Sequence, residues 1–222
     1  MYLAAITLSV GLQLLAAIGV HRDVAGAQYG AAVVPLIKLG LHRRRFALHV
    51  EGIPVVSMPQ RASAFYGRAA PAVGIAQGAL GWEVDRRRRL WVGLGATVIN
   101  QRTPLPNISQ VVSSRLAGFR AEVRYRRSLR SHRFFEATLG AAPRLWGEDH
   151  FLYSNGTPAV NKPETASEVD ASAAVGIKRA HSEFLIGVRM LNFAARFANT
   201  GEAADRNSGV GVMVEWQRLF GS

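Results

Sequence analysis

Cysteine is absent from the 222-residue chain, so neither a disulfide scaffold nor a thiolate metal centre is available to it. The several continuous apolar stretches of about 20 residues that a helical membrane protein needs are not there either, and mean hydropathy is only +0.08. Disorder is excluded from the other side, because 49% of the residues are hydrophobic and disordered chains are poor in apolar residues. Acidic residues are scarce, with 15 Asp and Glu against 27 Lys and Arg, for a net charge of +12. What the chain has in quantity is glycine: 22 residues, many inside apolar runs (Gly74, Gly78, Gly81, Gly93, Gly95, Gly140, Gly176, Gly187, Gly209, Gly211). Glycine is costly within helices but marks bulges and close backbone approaches in curved sheets.

The basic excess is not spread evenly. Thirteen of the 27 basic residues fall in four short segments: Arg43 to Arg45, Arg86 to Arg89, Arg126 with Arg127, Arg130 and Arg133, and Lys178 with Arg179. Each segment separates two strand-like runs, so these read as solvated hairpin turns or a rim facing anionic headgroups. Beyond the flanking Tyr125 and Phe134 the turns hold no aromatics for bases to stack on, and no nucleic-acid partner is expected.

Period two dominates the pattern. Ile6, Leu8, Val10, Leu12 and Leu14 alternate with Thr7, Ser9, Gly11 and Gln13; Phe46, Leu48 and Val50 with Ala47, His49 and Glu51; Phe119, Ala121, Val123 and Tyr125 with Arg120, Glu122, Arg124 and Arg126. The same holds for Phe135 to Ala142, for Glu168 to Ile177 and for Val210 to Phe220. At helical spacing these segments would scatter charge around the whole circumference. About ten strands follow, near 5–15, 30–41, 45–57, 66–84, 89–102, 114–126, 133–147, 167–178, 182–196 and 208–220. Many exceed the five or six residues usual in soluble sheets and meet the 9–11 that a tilted strand needs to cross a bilayer. The alternation slips near Gly74 to Gly78 and again near Leu191, which suggests bulges. Short basic turns alternate with longer polar connections near 58–65, 103–113, 147–166 and 197–207, the lopsidedness of an outer-membrane barrel with its short turns in the periplasm.

Residues 1–27 admit two readings. Residues 3–20 resemble a signal-peptide core, with Ala25-Gly26-Ala27 as a cleavage site, but no basic residue precedes them and they carry strand alternation. Taking 5–15 as the first strand keeps the strand count even and both ends on the short-turn side; it also implies an export signal upstream of Met1. Cleavage would leave about nine, an odd number, and so a closed barrel of eight. The chain is expected to be one domain, 1–222.

The closing segment, Gly209-Val-Gly-Val-Met-Val-Glu-Trp-Gln-Arg-Leu-Phe220, resembles the terminal strand of the small outer-membrane β-barrel proteins of Gram-negative bacteria, with Gly221 and Ser222 as a departure after the final aromatic. The resemblance implies an all-β, antiparallel, up-and-down transmembrane barrel in contact with outer-membrane lipids. It also implies recognition of Val210 to Phe220 by the barrel assembly machinery, and a monomer that needs no cofactor.

Opposite the apolar face lie His49, Glu51, Arg120, Glu122, Arg124, Glu136, Arg144, Glu168, Asp170, Arg189, Glu215 and Gln217. Carrying both signs, they are expected to fill a narrow lumen as paired charges. This points to a structural, adhesive or weakly permeating role. The alternative is a lipid A deacylase or phospholipase-type enzyme, for which the segment from Gly147 to Gly156 offers His150 and Ser154; on an extended strand these lie about 13 Å apart, too far for proton transfer. A further alternative is a soluble barrel with its apolar faces inward around an apolar ligand. The six histidines are scattered, and no metal site is expected.

Overall fold

The computed structural model describes residues 5–21, 26–57, 72–85, 87, 89–105, 110–129, 132–152, 155–197 and 204–220. They form twelve strand segments: β1 (Ala5–His21), β2 (Gly26–Arg43), β3 (Phe46–Ser57), β4 (Ala72–Glu83), β5 (Leu90–Leu105), β6 (Gln110–Ser128), β7 (Arg133–Ala142), β8 (Trp146–Leu152), β9 (Pro158–Asn161), β10 (Pro163–Arg179), β11 (Ser182–Phe197) and β12 (Ala204–Phe220). Every pairing is antiparallel, and the sheet closes on itself: β1 bonds to both β2 and β12, and β5 bonds to β6. The wall is a ring of ten positions, because β8 and β9 extend β7 and β10 and add no positions of their own. Ala142 pairs with Glu168 and Asp149 with Asn161, seven residues further along both strands, so the register is unbroken.

Hydrogen-bonded partners traced once around the ring define the geometry. The path leaves Ile6, runs through Leu41, Leu48, Leu80, Leu94, Ala121, Ala141, Val169, Asn192 and Ser208, and returns to β1 at Ile18, twelve residues on. A stagger of that size over ten strands tilts them by about 40° and leaves a bore that side chains can fill.

The two ends differ. Arg44 with Arg45 and Ala180 with His181 make two-residue turns, and β4–β5 and β6–β7 are also joined by short segments, all at the end where β1 starts and β12 finishes. Arg44 and His132 take positive φ angles of 59° and 62° to close two of these turns. Asp85 accepts hydrogen bonds from the Leu90 amide at 2.9 Å and the Arg89 amide at 2.5 Å, and these amides hold its carboxyl below the usual range. At the other end, much of what the sequence suggests as long loops is strand. Residues 103–105, 110–113, 148–152, 158–161 and 204–207 all lie in the sheet, so the asymmetry comes from strand extension. Polar residues conceal such extensions, since beyond the bilayer a strand has no reason to keep an apolar face.

The apolar face points outward. Val210, Val212, Val214 and Trp216 are exposed on the outer wall, as are Leu94, Leu139, Ile186 and Val188, whereas Met213, Glu215 and Gln217 are buried inside. A soluble calyx would have the reverse. Near the short turns the outer face becomes aromatic, with Phe46, Trp82, Phe184, Trp216 and Phe220 all exposed there, and Tyr125 beside Phe135 at a centroid distance of 6.5 Å. Towards the other end Phe119 meets Trp146 edge-on at 5.9 Å. An apolar band bordered by aromatics is how a transmembrane barrel meets lipid and its interfaces.

The two irregularities have different causes. Ile53 pairs with Ile75, but Val56 pairs with Val73, so one extra residue bulges from β3 beside the apparent slip in β4. Near Leu191 there is no bulge, and the β11–β12 register runs unbroken from Ser182↔Arg218 to Arg196↔Ala204. There the interior itself turns apolar: Phe193 and Ala195 are buried inside with Leu191 packed against the core. Replacing Leu94, on the outer wall, with Arg is expected to destabilise the folded barrel in lipid by about 2–4 kcal/mol; urea titration in phospholipid vesicles measures it, and a cost near zero would contradict the lipid-facing assignment.

Candidate functional site

The lumen is layered, and the inward residues of single strands show it. From the short-turn end, β3 presents His49, Glu51 and Ile53; β6 presents Arg126, Arg124, Glu122, Arg120 and Leu116; β11 presents Glu183, Leu185, Arg189, Leu191 and Phe193. A belt of charge thus lies between an open mouth and an apolar plug, the latter made by Val34, Ile53, Ile75, Ile99, Leu116, Leu145, Ala166 and Phe193.

Arg120 is the hub of the belt and is 1% exposed. Its Nη1 donates to both Glu168 oxygens at 2.9 and 2.8 Å, its Nε to Glu122 at 3.3 Å, and its Nη2 to Asp170. Arg189 continues the chain, donating to Asp170 at 3.1 Å and pairing with Glu51. Glu51 accepts from Gln77 at 3.1 Å and lies 3.8 Å from Lys38, which donates to Glu215 at 2.6 Å. Gln217 then donates to Glu215 at 2.7 Å, and Arg124 pairs with Glu122 on the far side. The network crosses the bore from β6 through β10, β11, β3 and β2 to β12. Four cations meet five carboxylates within it, the near-balance that buried ions require.

Gly140 of β7 explains how the Arg120 fork fits. A Cβ there would stand 1.7 Å from Arg120 Nη2 and 2.7 Å from Asp170 Oδ1, so only glycine leaves room for the guanidinium.

At the short-turn end the lumen opens into a cavity of about 610 Å³. Trp91 is its buried wall, meeting the His49 ring edge-on at 4.8 Å, and His49 in turn meets His42 at 5.0 Å. Arg124 lies over Trp91 at 5.7 Å and Arg126 over Phe134 at 3.8 Å. Arg126 also bonds Glu183 at 2.7 Å and approaches Glu136 at 3.4 Å.

Of the residues expected in the lumen, His49, Glu51, Arg120, Glu122, Arg124, Glu136, Glu168, Asp170, Arg189, Glu215 and Gln217 line the belt or the cavity. Arg144 does not. It sits exposed in the break between β7 and β8, its guanidinium over the outward Trp146 ring at 5.8 Å, because that break interrupts the alternation on which the assignment rests. His150 is exposed on β8, its Nε2 3.5 Å from Glu148; Ser154 lies outside the described residues. Lys38, Gln77, Trp91 and Glu183 escaped the sequence reading although alternation could have found them: Lys38 shares its parity with Val34 and Leu36, which look like wall residues and are buried. Among the described residues no group of three His, Asp or Glu is arranged to hold a metal ion.

No protein-family model and no curated protein matches the sequence. Solved structures do match. The outer membrane protease OmpT of Escherichia coli aligns over 97% of both chains, with a TM-score of 0.66 and 9% identity. The fold is that of an outer-membrane β-barrel. Neisserial surface protein A aligns over 94% of this chain and 95% of its own at a TM-score of 0.44 and 10% identity. A FadL homologue of Pseudomonas aeruginosa aligns over 98% and 90% at 0.41 and 10%. At such identities the likeness extends to the barrel and to no residue of the belt.

The hub makes a sharp prediction. Arg120→Ala leaves Glu122, Glu168 and Asp170 buried without their shared cation and is expected to cost about 3–5 kcal/mol. Gly140→Val, which adds no charge change, is expected to destabilise comparably by displacing the same fork. Urea unfolding of both variants tests this, and a Gly140→Val barrel as stable as the parent would contradict the packing described.

Proposed function

We propose that the protein is a monomeric structural barrel of the bacterial outer membrane whose lumen is blocked, leaving the long-strand end as its outward surface. One observation carries this reading: the Arg120-centred belt spans the bore under an apolar plug, so a hydrated solute meets a layer of charges already paired with one another and then a layer of Ile, Leu and Phe side chains that offers it no hydrogen bonds. Among the described residues the ring is closed, β1 bonding to both β2 and β12 and β5 to β6, which supports a monomer over edge-to-edge association. The outer apolar wall and its aromatic border support a place among outer-membrane lipids, and the strand from Val210 to Phe220 supports recognition by the assembly machinery. The experiment is reconstitution into planar bilayers and sugar-loaded liposomes. The wild-type protein is expected to give no steady conductance and no swelling with small sugars; stable single-channel steps from the intact barrel would overturn the blocked-lumen reading.

A second reading, a lipid-modifying enzyme, rests on a different place in the fold. His150 and Ser113 are direct cross-strand neighbours of β8 and β6, both exposed, with Glu148 3.5 Å from the His150 ring. The three share the outward face on the long-strand side of the apolar band. There, His150 could accept the Ser113 proton as the hydroxyl attacks a lipid ester, return it to the lipid alcohol that leaves, and then deprotonate the water that frees the fatty acid from the acyl-serine. Under this reading Ser113→Ala and His150→Gln each abolish fatty-acid release from outer-membrane lipid in detergent, and undiminished release from either variant excludes it.

A further inference from the structure

We infer that the cavity at the short-turn end is a binding site for a small organic anion with a flat aromatic or conjugated body. Its volume, about 610 Å³, lies within the range typical of small-molecule pockets. The charge belt closes its inner end, so a ligand that enters leaves by the same mouth; the geometry is one of capture, not passage.

Two independent features of the lining set the ligand class. The first is charge: six Lys and Arg side chains line the cavity against three Glu. Two of the cations, Arg89 and Arg133, are in no ion pair among the described residues. An entering anion therefore finds uncommitted positive charge at the mouth. The second is ring geometry. Trp91 is 5% exposed, yet its indole Nε1 has no hydrogen-bond partner among the described residues. A buried indole N–H normally finds one, and an anionic or carbonyl oxygen in the cavity would provide it. The His49 ring and the Arg124 and Arg126 guanidiniums, which lie over the buried Trp91 and Phe134 rings, are the flat groups of the lining against which a planar body packs. Trp91 also folds back over Gly93, where a Cβ would stand 2.2 Å from the indole. The glycine lets the ring lie along the wall and keeps the cavity open.

The experiment exploits the placement of the tryptophans. Trp82, Trp146 and Trp216 are exposed on the outer wall and Trp91 alone is buried in the lumen. A Trp82→Phe, Trp146→Phe, Trp216→Phe variant therefore reports from the cavity only. It is titrated in detergent with 4-nitrobenzoate, and with neutral nitrobenzene as the matched probe. Saturable quenching of Trp91 by the anion is expected, with affinity at least about tenfold above that for nitrobenzene. Arg133→Gln and Arg126→Gln, introduced separately and checked for folding by heat-modifiable electrophoretic mobility, are each expected to weaken it several-fold. Linear, unsaturable quenching, equal affinity for the two probes, or unchanged affinity in both folded arginine variants would each overturn the proposal. Conductance is not read in this assay, so an open lumen and an empty cavity fail separately.

Discussion

Inside a hydrocarbon layer a backbone N–H or C=O has no water to turn to, and every strand must find a partner on both sides. Closure of the ring is therefore the constraint on which the rest of this molecule depends. It is met at the seam where β1 lies between β12 and β2, with continuous registers from Ile6↔Phe220 to His21↔Asp205 on one side and from Ala5↔His42 to His21↔Gly26 on the other. Ten strands with a stagger of twelve residues then set the bore, and the bore sets what the inward positions must do. Small enough to be spanned by arginine and glutamate, it is filled by side chains.

Paired charge is an expensive filling, and hydrophobic residues of equal volume often stabilise as well or better. What the belt adds is discrimination. Arg120, Glu168, Asp170, Arg189, Glu51, Lys38 and Glu215 come from six strands, and a one-residue slip of any of them would turn its charged residue to the lipid. The apolar layer above tolerates exchange among its Ile, Leu and Val members and could not enforce register alone. Gly140 carries the same logic to the seventh strand, since any other residue opposite the Arg120 fork would collide with it.

Much of this was legible in the sequence, and the limits have physical causes. Alternation gives the two faces of a strand with certainty but does not say which is inside. The charged residues of β6, β10 and β12 decided that for most of the barrel, because a charge on the lipid face is costly. Where the interior is apolar the same argument goes silent. Val34, Leu36, Phe193 and Ala195 read as wall or as a slipped phase, and only the register shows them to be plug. Arg144 illustrates the opposite failure, a charged residue assigned inward by a parity that ends at the break after Ala142. His150 and Ser113 were invisible as a pair because they lie 37 positions apart in sequence, and only the β6–β8 register brings them opposite one another.

The strong positive charge also acquires a structural reason. The basic turns of the short-connection end lie just beyond the ring of Phe46, Trp82, Tyr125, Phe135, Phe184 and Trp216, the depth at which an aromatic border would meet lipid headgroups. Cations at that level can reach anionic headgroups while the aromatics hold the barrel at a fixed height. At the opposite end the outward charges are of mixed sign and include pairs along the extended strands, Lys162 with Glu148 at 3.4 Å and Arg196 with Glu164 at 3.9 Å. Such pairs contribute little to stability in water. They keep the protruding sheet soluble without giving it a strong charge of one sign. The basic excess of the described residues is thus concentrated at one rim and the cavity within it, which is why a charge that would suggest nucleic acid in a soluble protein here describes how one end of a barrel meets its surroundings.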